Sequence, residues 1–362
     1  MPALSLVHWY TQHPNKPPPP PLDKVSHVSL IGNGNVSLDV ARMLLTNVDV
    51  LSKYDVPHNV LDVLATSAIK HVSIIGRRGP LEAAFTMKEL REMINLPEAS
   101  MVPLPHSLLT PPPSSDLTRQ QTRVLQLLQK GSKNTPGSTP KSWSLDFFRS
   151  PIGLVPPTST RPAQLSLSHT ALDPETQRAV PTGETSTLST DLVITSLGFH
   201  GEPTVNFYDP GLRHLRTVSG RIITSTGATL RNVYASGWAS TGAKGVLAST
   251  MMNAYDVVNT IIGDWKAAAA DATGDDDDDS NEIKTLVDAD YQMHDLPLLN
   301  LDPVLDEVPE EVKNGRREGL VSDYEDWRRI DREEMIRGEM MGKERERMGW
   351  DEARHFVGRG DV

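Results

Sequence analysis

Short apolar runs alternate along the chain with stretches in which apolar residues recur every three or four positions. The run His27–Ile31 predicts a buried strand, and the residues from Val36 onward have helical spacing. A second helical pattern at 60–64 precedes a second apolar run at 71–75. Strand–helix–strand order is the repeating unit of a parallel, doubly wound sheet, so the pattern predicts an α/β fold.

The rest of the chain divides into polar connections and further elements. Clusters of Pro, Ser, Thr and Gly predict loops at 17–21, 103–118 and 131–144. A short amphipathic helix is predicted between the last two loops. The other predicted elements are strands at 191–198 and 232–237, a helix at 245–262, a solvated acidic insertion at Asp275–Asp279 and an exposed charged helix at 324–347.

Composition and charge narrow the classes of function. At about 150 residues per domain, 362 residues predict about two domains. The chain has 36 Lys and Arg against 47 Asp and Glu, a net charge of −11, which argues against nucleic-acid binding. It has no Cys, which excludes disulfides and thiolate nucleophiles, and its scattered His predict no metal site. No apolar run reaches the roughly 18 residues of a membrane-spanning helix. The first residues do not resemble a targeting peptide, so we expect either that the protein has none or that its true N-terminus lies upstream.

A glycine-rich turn at 32–37 joins the first strand to the first helix. In such turns Gly32 permits the tight bend, Gly34 lets the backbone approach a pyrophosphate, and small Ser37 allows close packing of helix on strand. The helix N-terminus adds N–H donors and a positive dipole. The turn therefore predicts a dinucleotide site; the alternative is a purely structural turn, which is common in α/β folds.

Two arginines, Arg77 and Arg78, follow the second strand, where an NAD-binding fold carries an acidic residue for the ribose 2′-OH. Guanidinium groups bind a phosphate through paired hydrogen bonds, so these residues predict a 2′-phosphate and hence NADP. The alternative is that both side chains face solvent without a ligand. Arg77 follows Gly34 by 43 residues, about twice the usual gap, which predicts an extra helix in the connection.

A second strand–loop–helix pattern runs from Val233 through Gly237-Trp238 to Gly245-Val246-Leu247. A helix N-terminus placed in this way can face the edge of a flavin, where negative charge develops on reduction. An apolar strand followed by an amphipathic helix is also ordinary packing. The sequence has no motif of a serine hydrolase, a zinc protease or a P-loop, and no side chain is assigned a catalytic role.

Several stretches together resemble the mitochondrial adrenodoxin reductase or NADPH–ferredoxin reductase family. The most distinctive runs from Gly76-Arg77-Arg78-Gly79-Pro80 to Phe85–Glu92, and Phe147–Pro151 also matches. Further matches lie at 32–42, 179–183, 196–199, 237–248 and in the charged tail. The similarity covers most of the chain apart from the Pro-rich and Asp-rich insertions.

The resemblance implies a site residue by residue. Asn33, Gly34, Asn35 and Val36 would lie against the NADP pyrophosphate. Arg77 and Arg78 would hold the 2′-phosphate, and Glu89 would also contact NADP. Trp238 and Gly245, Val246 and Leu247 would line FAD. An acidic, adrenodoxin-like [2Fe–2S] ferredoxin would dock on Arg91, Arg119 and Arg123, of which the last two lie four apart on one helix face.

The resemblance also implies a two-dinucleotide-binding-domain flavoprotein that passes electrons from NADPH through FAD to the ferredoxin. The family's N-terminal part of the FAD domain is expected to be missing. The location implied is the mitochondrial matrix or inner-membrane surface. Two alternatives stay open: a non-enzymatic NADP-binding module, or an interaction protein that uses its acidic linker and charged tail.

The predicted parts are an NADP domain at 1–202 with Pro-rich insertions near 17–21 and 103–118, the C-terminal half of a FAD domain at 203–265, an acidic disordered insertion at 266–285 and the tail of the FAD domain at 286–362.

Overall fold

The computed structural model describes residues 1–111, 117–158, 161–204, 207–273 and 308–358. It divides into two compact units, the first formed by Met1–Leu197 with Pro309–Val362 and the second by Gly198–Val308. The predicted acidic run Asp275–Asp279 lies outside the described residues, while 266–273 continue a helix.

A five-stranded parallel sheet forms the centre of the first unit, which confirms the predicted α/β fold. Its strands, in order across the sheet, are β3 (Ala99–Met101), β4 (Lys141–Phe147), β2 (His71–Gly76), β1 (His27–Ile31) and β8 (Leu192–Thr195). The register aligns Ile31 with Ile75 and with Thr195, so β1, β2 and β8 end together at one edge. The loop predicted at 131–144 is wrong from Lys141 onward, because these residues begin β4.

Helices cover one face of this sheet. Alternate strand residues point to that face and are fully buried, as for Val28 and Leu30 in β1 and Val72 and Ile74 in β2. Leu38, Ala41 and other helical residues pack on them. The helices of this part are α1 (Ala3–Tyr10), α2 (Asn35–Leu45), α3 (Val48–Leu51), α4 (His58–Ala65), α5 (Met87–Ile94), α6 (His106–Leu109) and α7 (Arg119–Lys130). The extra helix predicted between β1 and β2 is therefore confirmed, as α3 and α4.

The apolar contacts on the other face are with a three-stranded antiparallel sheet, β5 (Arg149–Val155), β6 (Ala163–Leu172) and β7 (Ala179–Thr190). Ile31 and Ile75 of the central sheet pack there on Leu165 and Leu167. Buried serines fill the neighbouring positions, and Ser29 Oγ donates to Thr190 Oγ1 at 2.9 Å. The second sheet therefore covers a face that is only partly apolar.

The second unit has a small core of its own, formed by Ile222, Leu230 and Ala235. Its longest element, α9, exposes large apolar side chains such as Tyr255 and Trp265, whereas Val257 is buried. Among the described residues, no helix is both long enough and apolar enough to cross a membrane. The elements are β9 (Tyr208–Asp209), β10 (His214–Leu215), β11 (Thr217–Val218), β12 (Arg221–Ile223), β13 (Thr229–Tyr234), α8 (Trp238–Thr241) and α9 (Leu247–Thr273).

The C-terminal helices are α10 (Glu310–Arg317), α11 (Tyr324–Met340) and α12 (Trp350–Phe356). The single exposed helix predicted at 324–347 ends at Met340. The chain then turns back until Arg345 lies against Gly338, where a Cβ would be 2.5 Å from the Arg345 Cα. Buried Glu334 accepts a hydrogen bond from Met348 N at 3.0 Å, so α11 has a packed side.

Residues 343–347 attach this segment to the connection between α3 and α4. Lys343 Nζ donates to Val56 O at 2.6 Å, Glu344 N donates to Lys53 O at 3.1 Å, and Arg347 pairs with Asp55 at 2.7 Å. These contacts place 309–358 in the first unit, which differs from the predicted boundary that joined 286–362 to 203–265. The assignment of the tail to a FAD domain stays a prediction.

We expect Lys343→Met to lower the free energy of unfolding by about 2–4 kcal/mol, because it leaves the carbonyl of buried Val56 and the partly buried Glu346 carboxylate without their cation. The matched control is Lys313→Met, which removes an exposed pair of the same spacing with Glu310 and should cost less than about 0.5 kcal/mol. Urea unfolding measures both values. Equal losses in the two variants would contradict a structural role for the Lys343 contact.

Candidate nucleotide-binding site

The glycine-rich turn lies where β1, β2 and β8 end. Gly32 has a φ of +119°, and a Cβ at this position would lie 2.2 Å from Ser196 O. Gly32 N donates to Ile75 O at 2.8 Å, and Ser37 Oγ donates back to Gly32 O at 2.6 Å. Only glycine fits this bend. The hydrogen bond to Ile75 O and the close approach to Ser196 O place the turn against the ends of β2 and β8.

The N-terminus of α2 directly follows this bend and is open at Gly34. Gly34 is the N-cap, so no side chain caps the first turn, and that turn has no acidic residue. A Cβ at Gly34 would meet nothing within 4 Å, which leaves room for an approaching group. Uncapped N–H groups and the positive end of the helix dipole favour an anion here.

Two asparagines border the open helix end. The Asn33 side chain packs on Gly76, where a Cβ would lie 2.6 Å from Asn33 Nδ2. That nitrogen is buried and has no hydrogen-bond partner among the described residues, which makes it a free donor beside the turn. Asn35 is already engaged, because its Oδ1 accepts from Thr86 N at 2.7 Å. Val36 packs with its side chain towards the main core.

Arg77 and Arg78 follow β2 directly, at the same edge of the sheet. Arg77 is exposed and Arg78 partly exposed. Within the described ranges no carboxylate forms an ion pair with either guanidinium. Glu89, in the first turn of α5, accepts a hydrogen bond from Thr86 Oγ1 at 2.7 Å. The structure thus brings the glycine turn and Glu89 together through Thr86. The arginine pair forms no ion pair with any carboxylate in the described part of the chain.

The predicted docking arginines lie on two packed helices. Arg91 is on α5 and Arg119 and Arg123 are on α7, and all three side chains are exposed. Gln121 of α7 donates to Leu81 O at 3.3 Å, which ties α7 to the segment before α5. None of the three arginines forms an ion pair in the part of the chain that the structure describes. All three are therefore exposed cations on a chain whose net charge is −11.

The remaining predicted residues lie in the second unit. Trp238 is 53% exposed, and its ring stacks on Phe199 with centroids 5.9 Å apart. Gly245 has a φ of +89° and precedes Leu247, which begins α9 and is 86% exposed. Asn253 of α9 holds the turn before Trp238 by accepting from Gly237 N at 2.7 Å. Trp238 and Leu247 give this unit exposed apolar surface, as does Val246.

Sequence reasoning missed Thr86, which bonds both Asn35 and Glu89. The spacing of Thr86 and Glu89 is that of a capping box, a signal that could have identified it.

A cavity of about 970 Å³ was also missed. It lies between α1, α2, α3 and the end of α5, and of the predicted site residues only Val36 lines it.

No protein-family model matches the chain. The chain is 34% identical to the mitochondrial NADPH:adrenodoxin oxidoreductase of Salvelinus fontinalis and 32% identical to that of Homo sapiens, over 96% of this chain and 66% of each relative. It is 33% identical to the NADPH-ferredoxin reductase FprA of Mycobacterium tuberculosis, over 72% of this chain and 57% of the relative.

The solved structure of Mycobacterium tuberculosis FprA in complex with NADPH is similar to this chain, with a TM-score of 0.77 and 27% identity. The match covers 99% of this chain and 72% of that structure. The chain spans 66% of the length of its adrenodoxin oxidoreductase relatives. From the shared sequence and fold, the chain belongs to the family of NADPH:adrenodoxin oxidoreductases and NADPH–ferredoxin reductases.

Proposed function

We propose that the chain binds NADPH and is part of an oxidoreductase that passes electrons from NADPH through FAD to a [2Fe–2S] ferredoxin. The observation that carries this proposal is the arginine pair at the end of β2, which has no ion-pair partner among the described residues and lies at the same sheet edge as the open α2 N-terminus. Two anion sites at one edge match the two phosphate groups of NADPH, its pyrophosphate and its 2′-phosphate.

Each part of the turn has a distinct role in this proposal. Gly34 leaves room for the pyrophosphate, and the first N–H groups of α2 donate to it, beginning with Asn35 and Val36. The buried Asn33 Nδ2 supplies a further donor and would gain its missing hydrogen bond. Glu89 remains oriented by Thr86. The bound nucleotide would thus be held mainly by backbone groups that are already in position.

The 2′-phosphate would be bound by Arg77 and Arg78. A phosphate accepts paired hydrogen bonds from planar guanidinium groups, whereas the 2′-OH of NADH gives them nothing to neutralise. Neither guanidinium has to leave a carboxylate in the described structure before it binds. These residues would therefore select NADPH over NADH.

FAD would lie against the second unit, at Trp238 and at Gly245, Val246 and Leu247. Exposed apolar side chains and a glycine-bordered helix start suit a flat aromatic ring with a polar edge. When bound, FAD supplies the conversion of a two-electron hydride into single electrons. The chain's own contribution would be to position the two nucleotides and to exclude water from them.

The ferredoxin would dock on Arg91, Arg119 and Arg123. These exposed guanidinium groups form a local positive surface on a chain with a net charge of −11. Such a surface attracts an acidic protein at low salt and orients it on approach. A mitochondrial location is part of this proposal and follows the relatives named as mitochondrial, although bacterial FprA is about as similar in sequence.

We expect Arg77→Ala/Arg78→Ala to weaken binding of 2′,5′-ADP about 100-fold, because two charge-assisted contacts are lost, and to leave binding of 5′-AMP within about twofold. Isothermal titration calorimetry measures both affinities. The matched control is Lys24→Ala/Lys70→Ala, which removes two exposed cations beside the amino ends of β1 and β2, at the opposite edge of the sheet. Equal affinity of the unchanged chain for both nucleotides would refute the 2′-phosphate assignment.

We expect Arg119→Ala/Arg123→Ala to reduce affinity for an acidic [2Fe–2S] ferredoxin about tenfold at low salt, with a smaller difference at high salt, where exposed charges are screened. Surface plasmon resonance at two ionic strengths measures this. Lys24→Ala/Lys70→Ala again serves as the control of equal charge. A ferredoxin affinity that does not change at low salt would remove both arginines from the docking surface.

A further inference from the structure

We infer that Thr170 and Phe148 are positioning residues for the arginine pair, and that they determine how well the chain discriminates a 2′-phosphate from a 2′-hydroxyl. This inference rests on the proposed function, because it assumes that Arg77 and Arg78 bind the phosphate. Neither residue needs to contact the nucleotide. Each acts through the backbone that carries the two guanidinium groups.

Both carbonyl groups of the arginine pair are hydrogen-bonded. Thr170 Oγ1 donates to Arg77 O at 2.8 Å, and Phe148 N donates to Arg78 O at 3.3 Å. On the far side of the pair, Gly79 N donates to Glu82 Oε2 at 3.1 Å. Three consecutive residues are therefore fixed through their main chain, while neither arginine side chain forms an ion pair among the described residues.

Phe148 has a backbone that is itself strained and tightly held. Its φ is +54°, the left-handed region that phenylalanine rarely adopts. Its carbonyl accepts from Thr170 N at 3.0 Å, and its ring packs on Gly79, where a Cβ would lie 2.5 Å from the Phe148 Cζ. Strain of this kind persists where the surroundings enforce it, and it often occurs beside a binding site.

A β-bulge brings Thr170 to the arginine pair. The pairing of β6 with β7 shifts between Ser168 and Thr170, and Thr170 then lies opposite Pro181, which has no N–H to donate. Thr170 N bonds to Phe148 instead of to β7. The hydroxyl is thereby directed out of its own sheet and towards the residue after β2. Thr170 is 8% exposed, so its hydroxyl can rely little on water as a partner.

The functional consequence follows from preorganisation. A long arginine side chain loses conformational freedom when it binds a phosphate, and a mobile backbone adds to that loss. The hydrogen bonds to the carbonyl groups of Arg77 and Arg78 already restrict the backbone, so the backbone loses no further conformational freedom when the ligand binds. Loss of these hydrogen bonds should therefore weaken binding of the 2′-phosphate. Binding of the part of the nucleotide that lies at the α2 N-terminus should not change.

The test compares Thr170→Val with Thr170→Ser, using 2′,5′-ADP and 5′-AMP as the titrated probes. Valine keeps the shape and removes the donor, whereas serine keeps the donor. We expect Thr170→Val to lose about five- to tenfold in affinity for 2′,5′-ADP and less than twofold for 5′-AMP, a loss typical of one hydrogen bond. Thr170→Ser should stay within about twofold of the unchanged chain for both probes.

Other outcomes separate this inference from the proposed function. Equal losses for both probes, or no loss for either, would overturn the positioning role while the selectivity of the unchanged chain still supported the arginine assignment. An unchanged chain that does not prefer 2′,5′-ADP would overturn both. If Thr170→Val does not fold, Thr170→Ala removes the same donor without adding a buried methyl group opposite a carbonyl. The ratio of its affinities for 2′,5′-ADP and 5′-AMP then tests the positioning role in the same way.

Discussion

The close approach of Gly32 to Ser196 is the constraint on which the rest of the site depends. With only 2.2 Å between a notional Cβ and the Ser196 carbonyl oxygen, no side chain can occupy this position. The bend brings the chain from β1 into α2 at the edge where β2 and β8 also end. This bend places the α2 N-terminus at that edge, and the Asn33 side chain lies against Gly76, the residue before the arginine pair.

The sequence predicted the parts of the fold that have a local periodicity. β1 and β2 follow directly from short apolar runs, and α2 follows from apolar residues at helical spacing. In each case the buried positions form a pattern within a short stretch of sequence. The sheet of β5 to β7 was not predicted, because β7 is mostly exposed and rich in Ser and Thr. Its pairing with β6 therefore leaves little apolar pattern in the sequence. The C-terminal tail was also misjudged as one exposed helix, because the turn after Met340 and its ion pairs depend on distant partners.

The site shows the same division between local and distant determinants. The glycine turn and the arginines could be predicted, because both belong to one strand–helix–strand unit with a known chemistry. Thr170 could not, because the hydrogen bond to Arg77 O joins residues 93 apart and arises only after a bulge redirects the hydroxyl. The family resemblance implied Arg91, Arg119 and Arg123, and the spacing of four residues predicted the last two on one face of a helix. The packing of α7 beside α5 could not be predicted, because it joins segments that are distant in the sequence.

The attachment of residues 343–347 to residues 53–58 has a consequence for the order of folding during synthesis. Asp55 and Arg347 are 292 residues apart, and Lys343 and Val56 are 287 apart. A ribosome adds about 5–20 residues per second, so the connection between β1 and β2 would wait on the order of 15–60 s for its partner. During that interval Lys53 O and Val56 O lack the hydrogen bonds that Glu344 N and Lys343 Nζ later donate to them.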